Sequence, residues 1–333
     1  MTPRRRELAV TLAGTAAALM AASNGAWAQM AAKVHRVGVL GPDISDGQGP
    51  VWHAFVDELA LRGHVEGRNL VFEKRFGQGD RAELVDQLAI ELVALKPDVI
   101  YAARGTLSAL AAKRATATIP VVFYSSGDPV GMGLVASLAR PGGNLTGTSV
   151  QGFDIIAKAL QLLVEALGKP SRVAYIAPAG MRQAPWFAGL DATLKRSAQA
   201  LALKVEFVDV VAVDSLEPII RRLVLDRVDA AIVSDFPLFR PQMQHIARLF
   251  IKHRLPAYGD AYAGFLMHYG EQRVKLARMA AAYVDRILAG AKPAELPVEQ
   301  LSTFELVINQ GTARALGLSL PPALLLRADE VIQ

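Results

Sequence analysis

The 333-residue chain is 52% hydrophobic and 20% charged, with a formal net charge of +5. That length allows about two domains at roughly 150 residues each, and the balance of charge and hydrophobicity excludes wholesale disorder, while ordinary counts of Gly (27) and Pro (18) exclude collagen-like and low-complexity classes. With no cysteine, the chain has no disulfide, no Cys-ligated zinc, no iron–sulfur cluster, no thiol nucleophile and no lipid-anchored Cys.

Residues 1–28 read as a targeting leader. Arg4, Arg5 and Arg6 form a basic start, a small and apolar run follows from Leu8 to Ala22, and Ala26-Trp27-Ala28 fits a small-x-small cleavage site before Gln29. The run is too short and too rich in Ala, Gly and Thr for a membrane span, which needs ~20 residues. Export to the periplasm is therefore expected, by the general secretory route or, from the arginine pair, the twin-arginine route. Loss of three Arg and one Glu with the leader leaves 33 basic and 30 acidic residues, a net charge of +3. That is too mild for a nucleic-acid reader, and no Lys/Arg block stands out. No second apolar run reaches spanning length, so the mature chain is expected to be soluble.

In chain order, Val34 to Leu40 is a short β-branched strand before Gly41-Pro42. Pro50 to Arg62 carries apolar residues at helical spacing and stops at Gly63. Leu70 to Phe76 is a strand, Arg81 to Leu95 an amphipathic helix, Val99 to Ala103 a strand, Thr106 to Ala117 a helix with Thr106 as its expected N-cap, and Pro120 to Ser125 a strand. The pattern then restarts. Helices at 154–167, 185–201, 216–227 and 239–253 alternate with strands at 172–176, 204–209, 230–234 and 256–258. Beyond Gly264 come a strand (265–268), a long helix (272–288), a spacer at 290–293, a strand (304–308), a short helix (312–316) and a Pro321-Pro322 tail. Strands alternating with helices of ten to fifteen residues mean parallel α/β sheets. Strand, loop, helix, Ile119-Pro120, strand in the first half is matched by strand, loop, helix, Leu255-Pro256, strand in the second, which suggests a domain duplication. The C-terminal pieces are too small for a third domain and are expected to complete the two lobes. The expected division is residues 34–147 plus about 270–300 for lobe one and 148–269 plus about 301–333 for lobe two.

No catalytic motif stands out. There is no Gly-x-x-x-x-Gly-Lys, no Gly-x-Gly-x-x-Gly, no Gly-x-Ser-x-Gly, and the six histidines form no His-Glu-x-x-His or i,i+4 pair. No catalytic residue, metal site or cofactor is expected. His253, at a helix end, reads as structural, and Trp52 is expected to pack its helix onto the sheet.

In open α/β sheets ligands bind beyond the carboxyl ends of the strands. Those exits here are 41–47, Arg104-Gly105-Thr106, Ser125-Ser126-Gly127-Asp128, 177–180, Asp235-Phe236-Pro237 and Gly259-Asp260. Thr106 and the N–H groups after it suit a carboxylate, and Ser125 and Ser126 add donors. Asp128 and Asp235 suit an ammonium group, or else cap helices. Tyr258, closing the strand before Gly259, joins the candidate set. Arg104 is costly at a strand exit unless it binds a ligand carboxylate or a salt-bridge partner.

Gly105-Thr106, 111–116 (AAKRAT), 118–123 (TIPVVF), Gly127-Asp128-Pro129-Val130-Gly131, 133–147 (GLVASLARPGGNLTG) and 304–309 (FELVIN) together resemble a known family, the ABC-transporter substrate-binding proteins related to the tryptophan/tyrosine-binding TrpX group. The likeness runs from about Val34 to the C-terminus. It implies a type I periplasmic binding fold of two Rossmann-like α/β lobes with a hinge and a ligand cleft between them. It also implies a monomer that captures a small solute, an amino acid or related carboxylate, and delivers it to an ABC permease in the inner membrane. By motif position it implies that Gly105, Thr106, Ser125 and Asp128 face the cleft from lobe one and Asp235 from lobe two. Arg104, where the family pattern has a small residue, and Ala177-Pro178-Ala179-Gly180, where an Asn-Pro run is common, depart from it. Two competing expectations are an exported ligand sensor for a signalling partner and an exported α/β enzyme with Asp128 and Asp235 as an acid–base pair.

Overall fold

The computed structural model describes residues 33–333 except 44–46, 78–81, 127, 151, 185–186, 237 and 302, and not the side chains of 82, 125 and 126. The leader, Trp186 and the hydroxyls of Ser125 and Ser126 lie outside the described residues.

Two sheets carry the fold. The first joins β1 (His35–Gly41), β2 (Leu70–Phe76), β3 (Val99–Ala102), β4 (Val121–Ser126), β5 (Leu145–Val150) and β11 (Glu299–Leu301) in the order β11-β5-β4-β3-β1-β2, all parallel. Its strands are apolar runs because both faces are covered. On one face lie α1 (Gly49–Leu61) and α8 (Arg273–Leu288), where Trp52, Phe55 and Leu59 meet Phe72, Tyr101, Tyr283 and Val284. Phe55 is fully buried and stacks on Tyr101 at 4.3 Å between ring centroids. Trp52 is 7% exposed and packs its helix down, as expected. On the other face α2 (Ala82–Ala94) and α3 (Thr106–Ala115) bury Val85, Leu92, Ala109 and Ala112.

The second sheet joins β6 (Arg172–Pro178), β7 (Lys204–Val210), β8 (Ala230–Val233), β9 (Ala257–Tyr258), β10 (Met267–Glu271), β12 (Phe304–Asn309) and β13 (Glu330–Ile332) in the order β13-β12-β10-β9-β8-β6-β7. Its pairs are parallel except β10 with β12, which run antiparallel. One face is covered by α4 (Gly152–Leu167) and α5 (Phe187–Ala200), with α9 (Gln310–Ala315) and α10 (Pro322–Leu326) at its edge. The other face is covered by α6 (Leu216–Leu225) and α7 (Met243–Lys252). The chain leaves the first sheet between β5 and α4, returns between β10 and α8, and crosses again between β11 and β12.

Most of the expected elements are present within a few residues, and the differences have physical causes. No element is expected over Leu145-Thr-Gly-Thr-Ser-Val150, yet it is β5, buried at every position in the interior of the first sheet. Its Thr146 hydroxyl donates to the Leu296 carbonyl at 2.7 Å, so a hydrogen bond replaces the apolar signal. The tail after Pro321-Pro322 forms α10 and β13, because β12 supplies an edge for Glu330–Ile332. Gly105 is the N-cap of α3, and Thr106, expected as that cap, is its first helical residue. Gly105 takes the cap because its φ is +98°, a conformation open to a residue without Cβ.

Candidate ligand-binding cleft

The exits of β3, β8 and β9 converge with the first residue of α8 on a cavity of about 500 Å³, lined by Arg104, Asp235, Arg240, Arg248, Asp260 and Arg273 among others. Each charged group is placed by local backbone chemistry. β3 ends in a turn with Arg104 at φ +44° and Gly105 at φ +98°. The Gly105 N–H donates to the Tyr124 carbonyl at 3.1 Å, which fastens this turn to β4. β8 ends as the Ser234 N–H donates to Ile176 O at 3.1 Å, and Asp235 follows immediately. Beyond β9, the Asp260 carboxylate accepts the Tyr262 N–H at 3.0 Å and caps the short helical turn 261–263.

Asp235 is the centre of the cluster. Its Oδ1 accepts Arg240 Nε at 3.0 Å, while Arg240 Nη2 donates to the Asp235 carbonyl at 3.2 Å. Its Oδ2 lies 3.5 Å from Arg104 Nη2 and 3.7 Å from Arg273 Nη2. Arg273 Nη1 stands 3.8 Å from Asp260 Oδ2, so this one guanidinium spans two carboxylates. The Arg104, Arg240 and Arg273 side chains are 14%, 13% and 21% exposed, against 39% for Asp235, so the cations form the wall and the carboxylate looks into the opening. Desolvation pushes the Asp235 carboxyl up, but Arg240, Arg273 and Arg104 outweigh it and hold it well below the usual carboxylate range. Burial pulls the Arg273 guanidinium down, and Asp235, Glu271 and Asp260 more than reverse that, so its net shift is upward. Burial and then Arg273 press the His268 imidazole below its ordinary value.

The sequence-derived candidates separate into two groups. Asp235 lines the cavity; Gly105 and Thr106, the cap and first residue of α3, follow the lining residue Arg104 in sequence but do not line it. Asp128 is exposed and accepts the Val130 N–H at 3.0 Å within its own turn, and it does not line this cavity. Ser125 lies in β4 with its backbone opposite Ser149. Tyr258 is buried; its hydroxyl accepts the Tyr269 N–H at 3.0 Å and donates to the Tyr269 carbonyl, and burial pushes it above its ordinary value. Asp128 and Asp235 are thus not brought together, and Asp235 is shifted in the direction opposite to that of a general acid. His253 closes α7 and meets Glu217 through Nε2 at 3.0 Å, a structural contact. Among the described residues, no three His, Asp or Glu side chains converge as a metal-ligating group.

Arg240, Arg248 and Arg273 were not anticipated. For Arg273 a signal existed: a basic residue in the first turn of a helix opposes the helix dipole, so it must be held by something else, here two carboxylates.

Two α/β lobes joined by repeated crossings, with a charged cleft at the strand exits, define a two-lobed solute-binding protein of the type I periplasmic class. The sequence matches the family described as ABC transporter substrate binding protein over residues 42–332, and the chain belongs to that family. It is a binding protein rather than an enzyme. A tyrosine-binding protein of Clostridioides difficile is 27% identical over 267 residues, covering 79% of this chain and 75% of that one. A conserved domain protein of Vibrio cholerae superposes with a TM-score of 0.80 at 26% identity, over 90% of this chain and 100% of that one. A domain from Streptococcus pneumoniae, solved with L-Trp, gives a TM-score of 0.75 at 24% identity over 90% and 99% of the two chains and supports the same fold.

Proposed function

We infer that the chain is the periplasmic receptor of an ABC importer, that it closes on a small carboxylate-bearing solute (an amino acid or a related acid) in the cleft between its lobes, and that it hands this solute to a membrane permease. The observation that carries the reading is the set of three largely buried arginines, Arg104 and Arg273 from lobe one and Arg240 from lobe two, gathered around Asp235. Guanidinium groups at a strand-exit cleft suit a carboxylate, which they can bind bidentately. Thr106 opens α3 two residues after Arg104, so the N-terminal end of that helix follows the strand exit. The crossings between β5 and α4, between β10 and α8 and between β11 and β12 act as the hinge in this reading. The receptor works as a monomer with no cofactor and no nucleic-acid partner, and residues 1–28 export it. Among the described residues no helix is long and apolar enough to cross a membrane.

The test is to purify the protein from its own cells, denature it, and identify released small molecules by mass spectrometry. The recovered solute is then added back to refolded protein and followed by small-angle X-ray scattering. A fall in radius of gyration with the solute recovered unchanged is expected. Conversion of the solute, or binding without compaction, would sink the receptor reading.

A further inference from the structure

Resting on the receptor reading, the question is which carboxylates the cleft admits. Its charged lining is Arg104, Arg240, Arg248 and Arg273 against Asp235 and Asp260. A zwitterionic amino acid needs a carboxylate free to take its ammonium group. Asp235 is surrounded by three guanidinium groups at 3.0, 3.5 and 3.7 Å. Asp260 has one oxygen on the Tyr262 N–H at 3.0 Å and the other facing Arg273 at 3.8 Å. An ammonium group in this space would compete with cations that are already in place, and would itself stand among them. Glu271, which accepts the Tyr124 hydroxyl, adds negative potential at Arg273, but it does not line the cavity.

The donors of Arg273 are not used up in the same way. Arg273 approaches its two carboxylates at 3.7 and 3.8 Å, beyond the ~2.7–3.2 Å of an N–H···O hydrogen bond. It is held by charge, with its N–H groups available to a closer acceptor. The lining is also poor in large rings: among the described residues it includes no Phe or Trp, its His245 is exposed, and its one Tyr, Tyr262, is 58% exposed with its hydroxyl on Glu330 at 2.7 Å. An aromatic amino acid would find neither an ammonium partner nor a stacking wall there.

We propose that this cleft selects organic dicarboxylates without an ammonium group and discriminates against amino acids. One carboxylate lies against Arg273 and Arg104, and the other toward Arg248 and the N-terminal turn of α7. Asp235 serves to space and orient the arginines, and does not contact an ammonium group.

Isothermal titration of the exported, solute-stripped and refolded chain tests this with matched pairs: succinate against aspartate, glutarate against glutamate, and phthalate against tyrosine and tryptophan. At least one dicarboxylate is expected to bind ten or more times more tightly than its amino counterpart. Equal or tighter binding of an amino acid overturns the proposal and leaves the receptor reading standing; no binding across the panel overturns it too, while the solute recovered from native protein decides the receptor reading separately. Arg273→Met is expected to weaken dicarboxylate binding at least tenfold. Asp235→Asn, with folding checked by its melting curve, is expected to change succinate and aspartate affinities by similar factors, since Asp235 positions the arginines and takes no ammonium group. A loss of aspartate binding at least tenfold greater than the loss of succinate binding in a folded Asp235→Asn protein would show that Asp235 takes the ammonium group and would refute the assignment.

Discussion

Arg104 sits in a left-handed conformation, φ +44°, that costs a non-glycine residue about 1–2 kcal/mol. Strain of this kind persists where the surroundings over-determine it, and here the neighbours are Asp235 and the α3 cap. Arg104→Gly relieves the strain and removes the charge. Thermal stability is expected to stay within about 1 kcal/mol of the parent, since the relieved strain offsets a pair of modest value. Solute affinity falls at least tenfold, because a cleft guanidinium is gone. A large drop in melting temperature with affinity intact would make Arg104 a structural residue. Asp235 gives a pH test. Its folded pKa lies well below the usual range, whereas in the unfolded chain an Asp titrates near ~3.9. Its contribution is therefore present above about pH 4 and is lost as pH falls through the depressed folded value. The melting-temperature gap between parent and Asp235→Asn is expected to be widest near neutrality and to close in acid. A gap that does not change with pH contradicts the pairing.

At the scale of elements, β5 depends on one glycine. Gly147, φ +149°, lies opposite Phe123, and a Cβ there would stand 2.0 Å from the Phe123 carbonyl oxygen. Backbone cannot step aside as a side chain can, so Gly147→Ala is expected to cost at least the ~1–3 kcal/mol of an overpacked core, read as a lowered urea midpoint. An unchanged midpoint would mean that β5 does not approach β4 this closely. On the other face of the same sheet, Phe55 joins α1 to Tyr101. Its removal in Phe55→Ala leaves a cavity worth about 3–5 kcal/mol. Both elements belong to lobe one, and these variants should lower stability while leaving Asp235 and Arg240 of lobe two in place.

For the whole molecule, contacts of the first sheet with the far side of the cleft include, among the described residues, Arg104 with Asp235 at 3.5 Å and the Tyr124 hydroxyl with Glu271. Each favours the approach of the lobes. Removing both, in Arg104→Gly with Tyr124→Phe, shifts a two-state opening equilibrium toward the open form. The scattering radius of the unliganded protein is expected to rise, and identical scattering curves would show that these contacts do not bias closure. Bound solute works the other way: at ~100 times its dissociation constant it adds about 2.7 kcal/mol of stability, enough to move the melting temperature by several degrees in a chain of this size.

The sequence alone determined the α/β alternation, because buried parallel strands and amphipathic helices leave local signals, as in Val99–Ala102 and α4. It also located the exits at Arg104, Asp235 and Asp260, since strand ends are legible wherever strands are. Family motifs between Gly105 and Gly147 supported the class of protein. The tertiary structure alone decided β5, whose Thr146 hydroxyl is accommodated by a hydrogen bond to the Leu296 carbonyl rather than by hydrophobicity, and β13, which needs the edge of β12. It alone gathered Arg104, Arg240 and Arg273 on Asp235, and it alone occupied Asp128 and Tyr258 with local partners. Electrostatic clusters are assembled across long separations in sequence, from residue 104 to residue 273 here, and no local pattern records which distant charges will share a cleft.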